Sequence, residues 1–334
     1  MASGKLDVIG VGNAIVDVIA EADEAFLAAH RVPKGGMILI DETRAREIYG
    51  AMATAQQISG GSAANTIACI ASFGGKGGFV GKIGDDELGK IFRHDLTALG
   101  VEFSTAPLNS GPGTGRCLIN VTPDAQRSMA TYLGAAALVS PTDIDEEMVR
   151  RAAITYFEGY LFEQPIAREA FIKACGSARN AGKRAAMTLS DSSCVDRQRG
   201  ALVPFIRDHV DILLANEREA EALFETLSLR EIAKRARELA PLTAVTRSEK
   251  GSFLIPEDGD IVEIAAVRPE RLVDTTGAGD AYAAGLLFGL ARGFDLAQAG
   301  ALGSLAGAEA ISHFGARPQK NLASLAKESG LVRA

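Results

Sequence analysis

Residues 274–280, Asp-Thr-Thr-Gly-Ala-Gly-Asp, are of the types needed to hold a phosphate group and to activate a hydroxyl group. Gly277, Ala278 and Gly279 precede an apolar run that predicts a helix, so their backbone N–H groups and the helix dipole can form an anion hole. Asp280 falls in the first helical turn, where its carboxylate can accept a proton from a hydroxyl that attacks the phosphate. The alternative is an ordinary loop-to-helix turn in which Asp280 interacts only with the dipole.

A second glycine-containing segment, residues 60–65, predicts another helix start with polar side chains. Gly60 and Gly61 permit a close approach of the backbone to a ligand, and Ser62 is a candidate N-cap. Asn65 follows one helical turn later and offers both a donor and an acceptor to vicinal hydroxyls, as on a sugar ring. Helix capping alone is the other interpretation of this segment.

Asp17 is a carboxylate inside the apolar stretch of residues 15–19. A charged group in such a strand is costly to bury unless it binds something, and a bidentate contact to two sugar hydroxyls would account for it. An outward-facing position on the strand is the alternative.

Two nucleotide-binding motifs are excluded. Gly10 and Gly12 begin like a dinucleotide fingerprint, but the third glycine is missing and the next segment does not have a helical pattern. Gly81-Lys82-Ile83 resembles the end of a P-loop, but residue 76 is Lys and residue 83 is neither Ser nor Thr. Phosphate chemistry therefore requires a different cradle.

The elements that must position these residues alternate between short apolar strands and helices. The predicted strands are residues 6–11, 78–83, 154–157, 185–189 and 210–215, and the predicted helices are residues 62–72, 86–99, 165–181 and 217–224. Such alternation predicts an α/β fold with a doubly wound, mostly parallel sheet flanked by helices.

Two stretches interrupt the alternation with strands that lack a crossover helix. They contain the predicted strands 14–20, 36–40, 116–121 and 128–133, and they predict a small β-rich lid. The expected division is a large α/β domain of residues 1–13, 51–105 and 135–334, and a discontinuous lid of residues 14–50 and 106–134. Residues 243–246 and 252–255 predict a hairpin near the end of the large sheet.

Composition excludes several classes of function. The 334 residues are 47% hydrophobic and 23% charged, as in ordinary globular proteins, and the net charge of −7 disfavours nucleic acid as a partner. The four cysteines and four histidines are scattered, which predicts neither a zinc site nor a disulfide framework. The longest apolar run, residues 281–291, is shorter than the roughly 20 residues of a membrane span. Without a secretory signal pattern, a cytoplasmic protein is expected.

The motifs together resemble the ribokinase-type (PfkB) family of carbohydrate and nucleoside kinases. Residues 60–65 and 81–89 resemble its N-terminal signature, and residues 274–280 resemble its C-terminal signature. The resemblance implies a ribokinase-like fold, ATP as the phosphate donor, and magnesium organised through Asn216 and Glu219.

The same resemblance implies further cofactor contacts. Thr246, Gly251 and Thr276, together with Asn216, would contact the nucleotide. Asp274, Thr276 and the carbonyls near Gly315 resemble a site for a monovalent cation such as K⁺.

Within the family the chain is most similar to the adenosine kinase branch, through residues 12–17, 60–66, 114–117 and 127–133. This similarity implies that Asp17, Gly61 and Asn65 hold a ribose, with Asn13 nearby, and that Asp280 deprotonates the 5′ hydroxyl. It also implies a purine-facing wall made by one face of a strand, although core packing is the alternative for each of its members: Met129, Thr131 and Leu133.

Two residues depart from the pattern of that branch. Cys194 stands where an aromatic contact is expected, and Thr131 adds a hydroxyl where an apolar contact is expected. The functional hypothesis is phosphorylation of a purine nucleoside, with adenosine as the first candidate. A furanose sugar kinase and a non-catalytic nucleoside sensor are the alternatives. Monomer and homodimer remain equally open, and no membrane partner is expected.

Overall fold

The computed structural model describes residues 4–124 and 126–332. Its strands, in chain order, are β1 (Leu6–Val11), β2 (Ile15–Glu21), β3 (Met37–Leu39), β4 (Gln56–Gly60), β5 (Gly77–Val80), β6 (Gly115–Val121), β7 (Arg127–Tyr132), β8 (Ala152–Glu158), β9 (Arg184–Thr188), β10 (Ile212–Asn216), β11 (Leu242–Thr246), β12 (Ser252–Pro256) and β13 (Val262–Ile264). They form an eight-stranded sheet and a five-stranded sheet.

The eight-stranded sheet has the order β13-β12-β11-β10-β9-β8-β1-β5. The strands from β5 to β11 pair in parallel, whereas β12 and β13 join the edge in antiparallel fashion. The α/β fold with a mostly parallel sheet is therefore confirmed, and the predicted hairpin is the β11–β12 pair.

Helices cover both faces of the large sheet. The helices in chain order are α1 (Glu24–Ala29), α2 (Glu42–Ala51), α3 (Ser62–Ser72), α4 (Glu87–Ala98), α5 (Glu146–Arg151), α6 (Gly159–Phe162), α7 (Pro165–Asn180), α8 (Ser192–His209), α9 (Glu217–Phe224), α10 (Leu229–Leu239), α11 (Ala278–Ala291), α12 (Leu296–Ala310) and α13 (Leu322–Glu328). Helix α2 packs against β6 and β7 of the five-stranded sheet. Within the described residues, no helix combines the length and the apolar character needed to cross a membrane.

Strand β10 shows why the core has two layers. Ile212 and Leu214 belong to one buried apolar cluster, whereas Leu213 and Ala215 belong to the cluster on the opposite face. Successive strand side chains point to opposite faces, so a continuous apolar run is required where helices cover both sides.

The five-stranded sheet has the order β3-β7-β6-β2-β4 and forms the small second layer. Strand β4 was not predicted, because its glutamines interrupt the apolar pattern. The predicted division assigned residues 56–60 to the large domain, but every one of them pairs with a residue of β2. An edge strand has one unpaired side, where polar residues are tolerated. The lid sheet thus includes a segment from outside the predicted lid boundaries.

Candidate active site

A cavity of about 720 Å³ lies between the two sheets. One part is lined by side chains of β2, β6 and β7, and another by residues at the carboxyl ends of β8 to β11. Ligands of open α/β sheets bind at that edge of the sheet.

The cavity brings together residues that are far apart in the chain. The predicted site residues that line it are Asn13, Asp17, Gly61, Ser62, Asn65, Met129, Thr131, Leu133, Asn216, Glu219, Thr246, Thr276, Gly277, Ala278, Gly279 and Asp280. Three others do not line it. Gly60 packs against the Asp17 side chain, and Gly251 lies in the β11–β12 turn beside Ile264. Asp274 lies in the loop before α11, and its carboxylate accepts a hydrogen bond from Thr276 N of the same loop.

The start of helix α11 contributes the backbone groups of the predicted anion hole. Gly277 is the N-cap, with φ of 77°, and a Cβ at this position would lie 2.5 Å from the Cβ of Ala316. Only glycine combines this backbone conformation with that close approach. The first four N–H groups of an α-helix have no partner within the helix, so the first turn of α11 presents donors and a positive dipole end to the cavity.

Asp280 is held in this first turn by two polar side chains of α3. The Ser62 hydroxyl donates to Asp280 Oδ1 at 2.6 Å, and Asn65 Nδ2 donates to Oδ2 at 3.4 Å. Burial raises the pKa of Asp280 to about 6, although both hydrogen bonds oppose the shift. The N-cap of α3 is Gly61, not Ser62 as predicted, so the Ser62 hydroxyl is free to orient the carboxylate.

Asp17 lies on β2 beside Gly60 of β4, and a Cβ on that glycine would lie 2.5 Å from Asp17 Cγ. The pKa of Asp17 is raised to about 7, chiefly by burial and also by the nearby Asp280, while Arg317 and Arg127 partly offset the shift. Two carboxylates therefore share one pocket, and each is easier to protonate than an ordinary aspartate.

Glu158, at the end of β8, is a functional candidate that sequence reasoning missed. Its fully buried carboxylate accepts hydrogen bonds from Asn13 N at 2.8 Å, Asn13 Nδ2 at 2.5 Å and Ala63 N at 2.9 Å. Burial raises its pKa to about 7 against these hydrogen bonds. Glu158 thus ties the β1–β2 junction to the start of α3. A carboxylate in an apolar strand was the available signal, the same signal that identified Asp17.

Arg317 was also missed, because the only role predicted near Gly315 was that of backbone carbonyls, and no motif pointed to the Arg317 side chain. Its Nε donates to Asn65 Oδ1 at 3.3 Å, on the opposite side of the amide from Asp280. Its Nη2 is buried without a hydrogen-bond partner. Arg317 therefore fixes which way the Asn65 amide points.

The lid side of the cavity is mostly apolar. Met129, Thr131 and Leu133 line it together with Ile119 and Cys117. The Thr131 hydroxyl donates to Cys117 Sγ at 3.2 Å, so its polar group is satisfied within the lid sheet. This contact explains how a threonine fits in an apolar wall.

Tyr160 supplies an aromatic ring to the cavity although Cys194 occupies the predicted aromatic position. It follows β8 in the short helix α6, and burial raises the pKa of its hydroxyl well above the usual range. The ring was missed because it lies outside the segment in which an aromatic was expected.

Asn216 and Glu219 form a reciprocal cap at the start of α9. Glu219 Oε1 accepts from Asn216 Nδ2 at 2.6 Å, Oε2 accepts from Asn216 N at 3.0 Å, and Glu219 N donates to Asn216 Oδ1 at 2.9 Å. Burial raises the pKa of Glu219 to about 7. Each Glu219 oxygen keeps a lone pair, which fits magnesium held through water. No cluster of three or more metal-ligating side chains occurs among residues 4–124 and 126–332.

Asp274 is enclosed by hydrogen-bond donors. Its Oδ1 accepts from Thr276 N at 3.0 Å and from Thr276 Oγ1 at 2.7 Å. Its Oδ2 accepts from Gly315 N at 3.0 Å and forms an ion pair with Arg127 Nη2 at 2.8 Å. The side chain thus fixes the loop before α11.

Comparison with known proteins identifies relatives over almost the whole chain. The model of the pfkB family of carbohydrate kinases matches residues 30–322. The adenosine kinase of Sinorhizobium meliloti is 45% identical, with a TM-score of 0.91 over 98% of this chain and 100% of that one. A probable sugar kinase from Rhizobium etli is 42% identical, with a TM-score of 0.92 over 99% and 100%. A 5-dehydro-2-deoxygluconokinase of Shouchella clausii is 28% identical over 92% of this chain and 90% of its own length.

Proposed function

The chain belongs to the pfkB family of carbohydrate kinases, and we propose that it transfers the γ-phosphoryl group of ATP to the 5′ hydroxyl of a purine nucleoside, with adenosine as the acceptor. Membership in this family makes it a phosphotransferase that acts on an alcohol group. The proposal concerns the identity of the acceptor and the roles of individual residues.

The observation that carries the proposal is the apolar wall in the same cavity as the hydroxyl-binding residues. Asp17 and Asn65 suit a ribose, but a bare furanose has no apolar ring system to bury against Met129, Leu133 and Tyr160. A purine has two faces that stack on aromatic and aliphatic side chains. The similarity to the adenosine kinase of Sinorhizobium meliloti supports the same acceptor.

In the proposed reaction, Asp17 and Asn65 hold the ribose hydroxyls while Asp280 accepts the 5′ hydroxyl proton. The 5′ oxygen then bonds to the γ-phosphorus, the bond from that phosphorus to the β–γ bridging oxygen breaks, and ADP leaves. Backbone N–H groups from Gly277 to Gly279 stabilise the charge that develops on the transferred group. The lid sheet excludes water, which would otherwise compete as the phosphate acceptor.

Asn216, Glu219 and Thr246 are assigned to the donor part of the cavity. Magnesium held there through water would offset the negative charge of the phosphates. The Asn216–Glu219 cap keeps the Glu219 carboxylate in one orientation toward the cavity.

A sugar kinase is the second candidate, because relatives of that class match over a similar share of the chain. The 5-dehydro-2-deoxygluconokinase of Shouchella clausii aligns over 92% of the chain, and the probable sugar kinase from Rhizobium etli over 99%. Both candidates need the same hydroxyl-binding residues, so only the base distinguishes them.

Incubation of the purified protein with MgATP and single acceptors tests the proposal. The acceptors are adenosine, inosine, guanosine, cytidine, ribose and fructose, and products are identified by mass spectrometry. AMP is the expected product, and it should be lost in Asp280→Asn. A sugar phosphate without AMP would contradict the acceptor assignment and leave the kinase chemistry in place.

A further inference from the structure

We propose that the guanidinium of Arg127, rather than a monovalent cation, neutralises Asp274 and thereby holds the loop before α11 in its ligand-binding shape. Arg127 is the first residue of lid strand β7, whereas Asp274 precedes the anion-hole residues of the large domain. Their ion pair therefore joins the lid to the catalytic loop. This inference does not depend on which acceptor the enzyme uses.

The first support is the geometry of the pair. Arg127 Nη2 lies 2.8 Å from Asp274 Oδ2, and the two side chains are only 9% and 7% exposed. Water does not screen the pair as it screens a surface salt bridge. A buried carboxylate needs a counter-charge, and Arg127 supplies it.

The second support is the number of donors around the carboxylate. Two ionised oxygens offer about four lone-pair sites. Thr276 N and Thr276 Oγ1 use those of Oδ1, while Gly315 N and Arg127 use those of Oδ2. No acceptor position remains on Asp274 for a cation, which binds through oxygen lone pairs.

The third support comes from the segment that follows α12. The Arg127 guanidinium carbon lies 5.8 Å from the centre of the Phe314 ring, and a cation over an aromatic face is stabilised. The Ile311 carbonyl accepts from Val273 N at 2.9 Å, and the Ser312 carbonyl accepts from Arg271 Nε at 3.0 Å. Each of these oxygens thus already accepts from a protein N–H group, and the guanidinium charge would repel a second cation beside it. The residues present do not fit a K⁺ site.

Arg127 is therefore a positioning residue. It acts on the anion hole through Asp274, because Asp274 fixes Thr276, the residue immediately before Gly277. Removing the guanidinium charge leaves Asp274 buried with an open acceptor position. A small cation could then take the place that the guanidinium leaves.

The test compares thermal unfolding in potassium chloride and in choline chloride at equal ionic strength, with no acceptor present. The wild-type unfolding temperature is expected to be the same in both salts. Arg127→Met should unfold several degrees lower in choline chloride, and potassium should restore part of that loss. Arg127→Lys keeps the charge and should stay near the wild type without a potassium effect.

Arg46→Met is the matched control, because Arg46 lies in α2 with an exposed side chain, and its one ion pair among residues 4–124 and 126–332 is with Glu42 at 2.5 Å. It should show no difference between the salts. A potassium-specific rise in the wild-type unfolding temperature would overturn the inference, and so would an Arg127→Met protein that does not respond to potassium. The wild-type measurement needs no variant, so it tests for a potassium-binding site even if Arg127→Met does not fold.

Discussion

The two ends of the cavity are built in different ways. The proposed catalytic end is a continuous segment, residues 274–280, at the start of one helix. The proposed acceptor end is assembled from separate segments whose contacts join residues far apart in the chain, such as Asn13 with Glu158 and Asn65 with Arg317. The local backbone at the start of α11 places the residues of the contiguous end, although contacts such as Ser62 with Asp280 orient their side chains. By contrast, even the placement of the assembled end depends on tertiary packing. Substitutions in the two ends should therefore affect different kinetic parameters.

The largest effect is expected at the catalytic end, from Asp280→Asn. The amide cannot accept the hydroxyl proton, so kcat should fall by about two to four orders of magnitude, the range typical of a general base. KM for the acceptor should change little. Steady-state kinetics and circular dichroism would check this prediction, and a folded variant with near-native kcat would remove Asp280 from the role of base.

Asp17→Asn tests the acceptor end. A hydrogen bond to a charged group contributes about 1.5–3 kcal/mol, so the affinity for adenosine should fall by about 10- to 150-fold. The loss should appear in binding measured by calorimetry without ATP. Unchanged affinity would show that Asp17 does not contact the acceptor.

Tyr160→Ala separates the base from the ribose. Stacking of a base on an aromatic ring contributes about 1–3 kcal/mol, so kcat/KM for adenosine should fall by roughly 5- to 150-fold. The value for ribose should not change, because a bare sugar does not stack on the ring. Equal losses for both acceptors would mean that Tyr160 supports the pocket as a whole.

The pH dependence connects the two ends, because burial raises the pKa of Asp280 to about 6 and that of Asp17 to about 7. Both groups work ionised, so acidification below neutral pH removes the active form. The kcat/KM for adenosine should fall about 20-fold from pH 8 to pH 6, and its acid limb should reflect the binding of two protons. In Asp17→Asn the acid limb should require only one proton. A profile that is flat down to about pH 5 would contradict the raised pKa values.

The smallest effect on catalysis is expected from Glu158→Gln. The amide keeps one acceptor but places an NH2 group against the donors of Asn13 or Ala63, so one buried donor loses its partner. The free energy of unfolding should fall by about 1–3 kcal/mol. The affinity for the acceptor should weaken several-fold while kcat stays near the wild type. Denaturant unfolding and initial rates measure the two quantities, and a larger loss in kcat than in affinity would contradict a purely supporting role.

The predictability of the molecule follows the same division. Periodic apolar runs were sufficient to predict helices α3 and α9 at their observed bounds, and also strands of the parallel sheet. These elements are predictable because the local sequence pattern determines them. Strand β4 was missed, because it exists only through pairing with β2. The anion hole could be predicted from the sequence, because a glycine-rich loop before a helix is a local pattern. The contacts of Arg127, Glu158 and Arg317 could not be predicted, because their partners are distant in sequence and come close only in the folded chain.

The ratio of kcat/KM for adenosine to kcat/KM for ribose, measured with the wild-type enzyme and saturating MgATP, tests the central claim most directly. If the lid wall binds a purine while Asp17 and Asn65 hold the ribose, the ratio should favour adenosine by about 5- to 150-fold or more. A ratio at or below one would contradict the account, because it would mean that the apolar wall contributes nothing to recognition of the acceptor.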